Sequence, residues 1–292
     1  MELFMQLLLN GVFIGSIYLL LAVGFTMLWG TTKIFDVGYG AYFVVSGYLM
    51  YLFYHQLSIP LFVSIILVCI SIVLLATFIY FTFYYPMQRK GTSEFIIIAI
   101  SIGILMFLEN LISLAFGHEA KFLSTSLGTI EWHGIYLTIL DILTTVLAII
   151  IVLLLTYFLK INKFGILMRA VANNDEVAKI TGIETKKINA LAYNLGALFT
   201  VVPAVLVAFN QGVYPQMGME YLVMIVIAVV IGSVGSIGGA VAGAYLLAIV
   251  QSFSVWQISS NWQSTISFIV LIMFLLFKPN GLFGAKTRKG GV

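Results

Sequence analysis

Residues 147–187 read LAIIIVLLLTYFLKINKFGILMRAVANNDEVAKITGIETKK. Leu147 to Leu159 is apolar all round. A strand of a membrane barrel alternates apolar and polar over roughly ten residues, and this run does not alternate, so it reads as a helix in lipid. After Lys160 the character changes: the chain becomes charged and polar yet keeps helical spacing. An apolar helix opening into a structured polar island is the pattern on which the fold and its use turn.

The rest of the chain extends the apolar half of that pattern. Of 292 residues, 62% are hydrophobic and 9% charged, and the mean hydropathy is +1.12, whereas a soluble domain carries roughly 25% charged residues. With its recurrent long apolar runs, the sequence predicts an all-α, polytopic integral membrane protein. The opening MELFMQLLLNGVFIGSIYLLLAVGF has neither a basic n-region nor a small-residue cleavage site, so it is expected to be the first span and not a removable signal. No polar segment is long enough for a soluble domain, and residues 1–292 are expected to form one membrane domain. Cys69 is the single cysteine, which excludes a disulfide within the chain. The net charge of +3 is no nucleic-acid footprint. Its distribution is what informs.

Lys and Arg cluster at Arg89–Lys90, at Lys160, Lys163, Arg169, Lys179, Lys186 and Lys187, and at Lys278, Lys286, Arg288 and Lys289. The positive-inside rule places all three clusters in the cytoplasm. Apolar pieces at 7–30, 36–54 and 60–85 precede the first cluster. Those at 95–116 and 138–159 separate it from the second, and those at 189–209, 220–235, 239–256 and 263–278 separate the second from the third. This gives an external N-terminus, an internal C-terminus and about eight to ten transmembrane or re-entrant helices. Lys33 falls inside; Glu119, Glu131, Glu220, His55, His118 and His133 fall outside. The pieces at 36–54 and 220–256 are short or glycine-broken. They read as re-entrant or discontinuous helices, which are tolerated only where protein or a water-filled cavity satisfies the backbone.

Within the polar island, Phe164, Leu167, Met168 and Val171 recur at i, i+3, i+4 and i+7, an apolar helical stripe. Asn173 followed by Glu176 resembles a capping box opening a second short helix. Val177, Ile180 and Thr181 give that helix one face, and Gly182 is placed to end it as a left-handed cap. Two short helices with an elbow at Asn173–Asn174 follow. Spacing alone leaves two uses open: a connection lying on the bilayer with lysines reaching lipid phosphates, or a docking element for a cytoplasmic partner.

VIGSVGSIGGAVAGAYLL (230–247) carries Gly232, Gly235, Gly238, Gly239 and Gly243 among Ser233 and Ser236. It matches no nucleotide-binding loop. Gly239 and Gly243 suit close helix packing, as do Gly11 and Gly15 in the first span. Each interior helix glycine costs roughly 1 kcal/mol relative to alanine, and their density argues equally for a break whose backbone lines a pathway. KIFDVGYGAYFVVSGYL (33–49) repeats the theme: Asp36 can cap a helix or pair with Lys33, and Gly38, Gly40 and Gly47 thin one face. Glu109 reads as a capped or water-exposed carboxylate, and Asp141 as interfacial. Asn10, Asn194, Gln211 and Gln251 are sparse polar groups that pack helices or line a solute path. There is no HExxH, no histidine cluster and no nucleophile motif, so nothing supports an enzyme.

Together NGVFIGSIYLLLAVGFTMLWG, YYPMQRKG, FGILMRAVANNDEVAKITGIETKKI, VIGSVGSIGGAVAGA and KPNGLFG, in that order, resemble the shorter permease subunit of branched-chain amino acid ABC importers. The resemblance implies that residues of about 160–187 form the cytoplasmic loop docking onto an ATP-binding subunit, with Arg169, Ala170, Asp175, Ala178 and Gly182 matching the family pattern. It implies a second, homologous permease, two cytoplasmic ATP-binding subunits and an extracytoplasmic solute-binding protein meeting the outer loops near 117–137 and 210–219. It further implies a multi-pass place in the cytoplasmic membrane, contact with its lipids, and no cofactor on this chain, with ATP and Mg used by the partners. The chain departs from the family at DVGYGA (36–41), where NFAHGE or similar is usual, and at Ile231–Gly232–Ser233, where two adjacent glycines are common. If those positions touch substrate, the cargo differs, and permeases for urea, short amides or sugars are the alternatives. The expected translocation path comprises Asp36, Gly38, Gly40, Gly232, Ser233, Gly235, Ser236, Gly238 and Gly239. A stand-alone secondary carrier is the competing class, though it leaves the island without a role.

Overall fold

The computed structural model describes residues 2–123, 128–132, 134–257, 262–278 and 281–283. His133, the basic residues Lys286, Arg288 and Lys289 and part of the closing KPNGLFG motif lie outside the described residues.

The apolar pieces expected from sequence are all helical. They are α1 (Glu2–Thr32), α2 (Tyr39–Met50), α3 (Leu61–Ile79), α5 (Glu94–Phe116), α6 (Ile139–Ile161), α9 (Thr185–Leu198) with α10 (Val201–Asn210), α11 (Met217–Gly232), α12 (Ile237–Gln257) and α13 (Gln263–Phe277). A π-helical segment, Tyr80–Tyr84, joins α3 to α4 (Tyr85–Arg89). The two helices of the polar island are α7 (Lys163–Asn173) and α8 (Asp175–Ile180). Among the described residues six helices are long and apolar enough to cross a membrane, with α11 and α13 as shorter apolar ones. Alone, the 12 residues of α2 span about 18 Å, short of the roughly 30 Å hydrocarbon core. The π-helical segment Tyr51–Gln56 continues it to about 27 Å.

One departure from the all-α expectation is local. Thr129–Trp132 and Ile135–Thr138 form an antiparallel hairpin. It is moored to the start of α1, where Gln6 Oε1 accepts from the Tyr136 backbone N–H at 2.9 Å and Gln6 Nε2 donates to the Tyr136 carbonyl at 3.0 Å. The hairpin lies at the end of the molecule opposite the lysine-rich island.

Helix α1 is the axis of the fold. From Gly15 to Leu28 every residue is buried, because α6, α9, α11 and α12 surround it. Peripheral α3 instead exposes Phe62, Ile66, Ile70, Leu74 and Phe78, an i, i+4 stripe facing lipid. The central contacts run through glycine. A Cβ on Gly11 would stand 3.0 Å from Ile249 Cα, and one on Gly15 2.6 Å from the Tyr245 ring, so α1 and α12 approach backbone to backbone. A Cβ on Gly239 would collide with the Gly232 carbonyl, and one on Gly243 with the Ala228 carbonyl. The two readings of the glycine-rich segment are therefore both realised, by different residues. Gly232, Gly239 and Gly243 let α11 and α12 pack, while the chain between them breaks at Ser233 (φ 102°) and Gly235 (φ 82°). The end of α11 is closed by the remote C-terminal segment: Leu282 N–H donates to the Ile231 carbonyl at 2.8 Å and Phe283 N–H to the Gly232 carbonyl at 3.2 Å.

Asp36 does not pair with Lys33. It is fully buried and held by phenols. Tyr84 donates to Oδ1 at 2.5 Å and Tyr193 to Oδ2 at 2.6 Å. Tyr42 then donates to the Tyr193 oxygen, 2.6 Å away. Sparse amides likewise tie helices together: Thr77 donates to Asn194 Oδ1 at 3.1 Å and Gln251 to Ser267 Oγ at 2.6 Å.

Two outcomes follow. Gly243→Val drives a branched side chain into backbone that cannot yield, and it should lower stability by about 1–3 kcal/mol. Gly238→Ala, with open space around its Cβ, should be neutral or stabilising by up to about 1 kcal/mol; thermal unfolding in detergent separates the two. Tyr84→Phe should cost about 1.5–3 kcal/mol, as expected for a hydrogen bond to a charged group. Combined with Asp36→Asn it should cost less than the sum, and strictly additive losses would contradict the pairing.

Candidate functional site

The polar island folds as the elbow its spacing implies, with corrections. Helix α7 starts at Asn162, whose side chain accepts from the Phe164 N–H at 3.0 Å, and it packs against α6, α9 and α1. Gly165 permits the sharp turn out of α6, since a Cβ there would stand 2.5 Å from Leu159 Cα. Met168 and Val171 are buried as the stripe requires, but Phe164 is exposed. The second helix is capped by Asn174, not Asn173: its Oδ1 accepts from Glu176 N–H at 3.0 Å and Val177 N–H at 3.1 Å. Gly182 takes φ +83°, and Ile183 N–H closes on the Ala178 carbonyl at 3.0 Å, the left-handed cap expected there. The inward residue of α8 is Ala178. Val177 and Ile180, expected to form a packed face, point outward, 53% and 86% exposed.

Two contacts that sequence could not reveal fix the elbow to the membrane helices. Lys33, just beyond α1 and in a left-handed conformation (φ 58°), donates to the Ala172 carbonyl at 2.9 Å. A cation there meets the free carbonyls at the C-terminal end of α7. The Lys186 ammonium sits 4.4 Å from the Tyr85 ring centroid, joining the start of α9 to α4. Of the carried-over residues, Asp175 pairs with Lys179 at 2.5 Å, a solvent-screened pair of small energetic weight.

The elbow and the helix break meet in one place. A cavity of about 630 Å³ is bordered by Trp29 and Gly30 at the end of α1, by Met168 and Arg169 on α7, and by Val234 and Gly235 in the break. Arg169 and Gly235 thus border the same cavity. The other expected path positions divide. Asp36 is enclosed by its tyrosines. A Cβ on Gly40 would stand 2.5 Å from the Gly218 carbonyl, a packing position, and one on Gly38 would stand 2.9 Å from Asp36 Oδ1. Gly232 and Gly239 face each other. Gly238 is open and borders no helix contact.

At the opposite end, a smaller cavity of about 280 Å³ lies between α1 and α11, mixing Ile17 and Met217 with Tyr18, Gln211 and Glu220. Tyr214 donates to the Glu220 carboxylate at 2.5 Å. Glu109 is half-buried with its carboxylate beside Gly218 in the first turn of α11, and its Oε1 has no hydrogen-bond partner among the described residues. Asp141 stands in the first turn of α6 and accepts from Asn210 at 3.0 Å. Among the described residues no group of His, Cys, Asp or Glu is placed to hold a metal ion.

Comparison with known proteins is consistent over the whole length. Residues 7–275 match the family described as branched-chain amino acid transport system, permease component. The chain is 27% identical over 294 residues to the high-affinity branched-chain amino acid transport system permease protein BraD of Pseudomonas aeruginosa, covering 96% of each. It is likewise 27% identical over 294 residues to the permease protein LivH of Escherichia coli, with the same coverage. One chain of the solved structure of PsaBC from Streptococcus pneumoniae in complex with Fab shares the fold, with a TM-score of 0.51 at 12% identity over 97% of this chain and 94% of that one. A long central helix braced through glycine, a capped polar elbow and a helix break beside it are thus the features of a transport subunit, not an enzyme, and the chain belongs to the family of permease components of branched-chain amino acid ABC transport systems.

Proposed function

We propose that this chain admits aliphatic amino acids through a binding-protein-dependent importer. A second permease would stand beside it, two ATP-hydrolysing subunits below it and a solute-binding protein at its outer end. The observation that carries the reading is the one cavity that both Arg169 and Gly235 border. A partner that moves α7 changes the cavity bordered by the helix break, so force applied at the elbow has a short mechanical route to the membrane segments. The outward apolar pair Val177 and Ile180 offers such a partner a dry contact. Arg169, Ala170, Asp175, Ala178 and Gly182 build the elbow, and the basic end faces the cytoplasm by the positive-inside rule.

For the solute, the outer cavity fits an aliphatic zwitterion better than the buried Asp36 does. Glu220 supplies a negative charge for an ammonium, Gln211 and Tyr18 supply neutral hydrogen-bonding groups for a carboxylate, and Ile17 and Met217 an apolar wall. The break from Ser233 through Ser236 to Gly238 would then form the inner mouth of the path, with Gly235 on its wall. The relatives' names point to the same cargo.

Ile180→Ser should weaken co-purification of the ATP-hydrolysing subunits about tenfold, the size of a 1.4 kcal/mol contact loss, while membrane insertion is unchanged. Full assembly and ATP-dependent leucine uptake in that variant would remove the elbow from the coupling route. In a Cys69→Ser background, a cysteine at Glu176 should resist impermeant thiol reagents in intact cells and react in inverted vesicles. Labelling from outside would reverse the orientation.

A further inference from the structure

Lys33 borders a second cavity at the basic end, of about 470 Å³, enclosed by the end of α1, α4, α8 and the start of α9. Four cations face it, Lys33, Arg89, Lys179 and Lys186, against one carboxylate, Asp175. Two of the cations are already engaged, Lys33 with the Ala172 carbonyl and Lys179 with Asp175. Arg89 and Lys186 have no carboxylate partner among the described residues. Lys186 is held at the rim by the Tyr85 and Phe81 rings, at 4.4 and 5.4 Å from their centroids.

The cavity also gathers buried polar atoms that lack a hydrogen-bond partner. Six such side-chain atoms occur among the described residues, and three of them, the Tyr80 hydroxyl, Asp175 Oδ1 and Asn189 Oδ1, belong to residues bordering this one space. Tyr80 is 1% exposed. A buried hydroxyl or amide left unmatched costs about 1–3 kcal/mol, and three of these atoms lie on residues around this one basic space. The chemistry required is specific. Arg89 and Lys186 are donors that suit a phosphate oxyanion, with the planar guanidinium made for two oxygens at once. Asp175 and Asn189 present acceptors, which suit ligand hydroxyls.

We infer that this cavity binds a polyol phosphate, its phosphate on Arg89 and Lys186 and its hydroxyls toward Asp175 and Asn189. Two sources carry that chemistry, a phosphatidylglycerol headgroup of the adjoining leaflet and a soluble glycerol phosphate. Phe81 and Phe78, exposed on the lipid-facing side of the same helix, provide a track for acyl chains and favour the lipid. Basic pockets between membrane helices at the cytoplasmic surface hold anionic headgroups in this way. The inference is independent of which solute the chain transports.

The test uses the purified full-length chain in detergent, titrated with phosphatidylglycerol, with phosphatidylcholine of equal acyl length, and with glycerol phosphate. Bound species are counted by native mass spectrometry. Phosphatidylglycerol should bind saturably and at least tenfold more tightly than phosphatidylcholine. Arg89→Gln with Lys186→Gln should abolish that preference. Lys90→Gln with Lys187→Gln removes the same charge from residues outside the cavity and should leave binding intact, which also controls for folding. Glycerol phosphate binding that the first pair abolishes supports the site with a soluble ligand, and binding of the lipid alone supports it with a lipid ligand. Absence of both, or equal losses in the two double variants, overturns it.

Discussion

In lipid, apolar side chains gain nothing by leaving the bilayer for a neighbouring helix, so association rests on how closely backbones approach. That constraint governs this molecule. Gly11 and Gly15 bring α1 against α12, and Gly232, Gly239 and Gly243 bring α12 against α11, each at separations that exclude a side chain. Those close approaches help enclose α1 from Gly15 to Leu28. The same approach sets the turn at Ser233–Gly235 beside the elbow.

The second constraint is that every buried polar group needs an internal partner. The structure meets it with contacts distant in sequence. Three tyrosines shield Asp36, from helices far apart in the chain. The end of α11 takes its donors from Leu282 and Phe283, which gives the closing motif a mechanical purpose: it splints the break on its α11 side. Lys33 does the same for α7. The breaks are therefore ordered features, each braced by one remote segment.

These braces divide the elbow in two. Helix α7 is fastened to α1 through Lys33 and to the membrane helices by Met168 and Val171, whereas α8 turns Val177 and Ile180 outward. The inner half of the island is packed on the membrane helices and the outer half stands clear of them.

Much of this was legible in the chain itself. Apolar runs located the apolar helices among the described residues, because lipid demands long uninterrupted apolarity. Local capping chemistry located the elbow and Gly182, because caps act within four residues. The error of one residue at Asn174 reflects two adjacent asparagines of equal capping ability. Sequence could not decide whether Gly38 and Gly40 line a path or pack, nor pair Asp36 with Tyr84 and Tyr193, nor place Arg169 beside Gly235. Periodicity fixes which side of a helix is polar, but only the packing of helices fixes what that side meets, since partners 48 to 157 residues away, as Tyr84 and Tyr193 are from Asp36, leave no trace in local spacing.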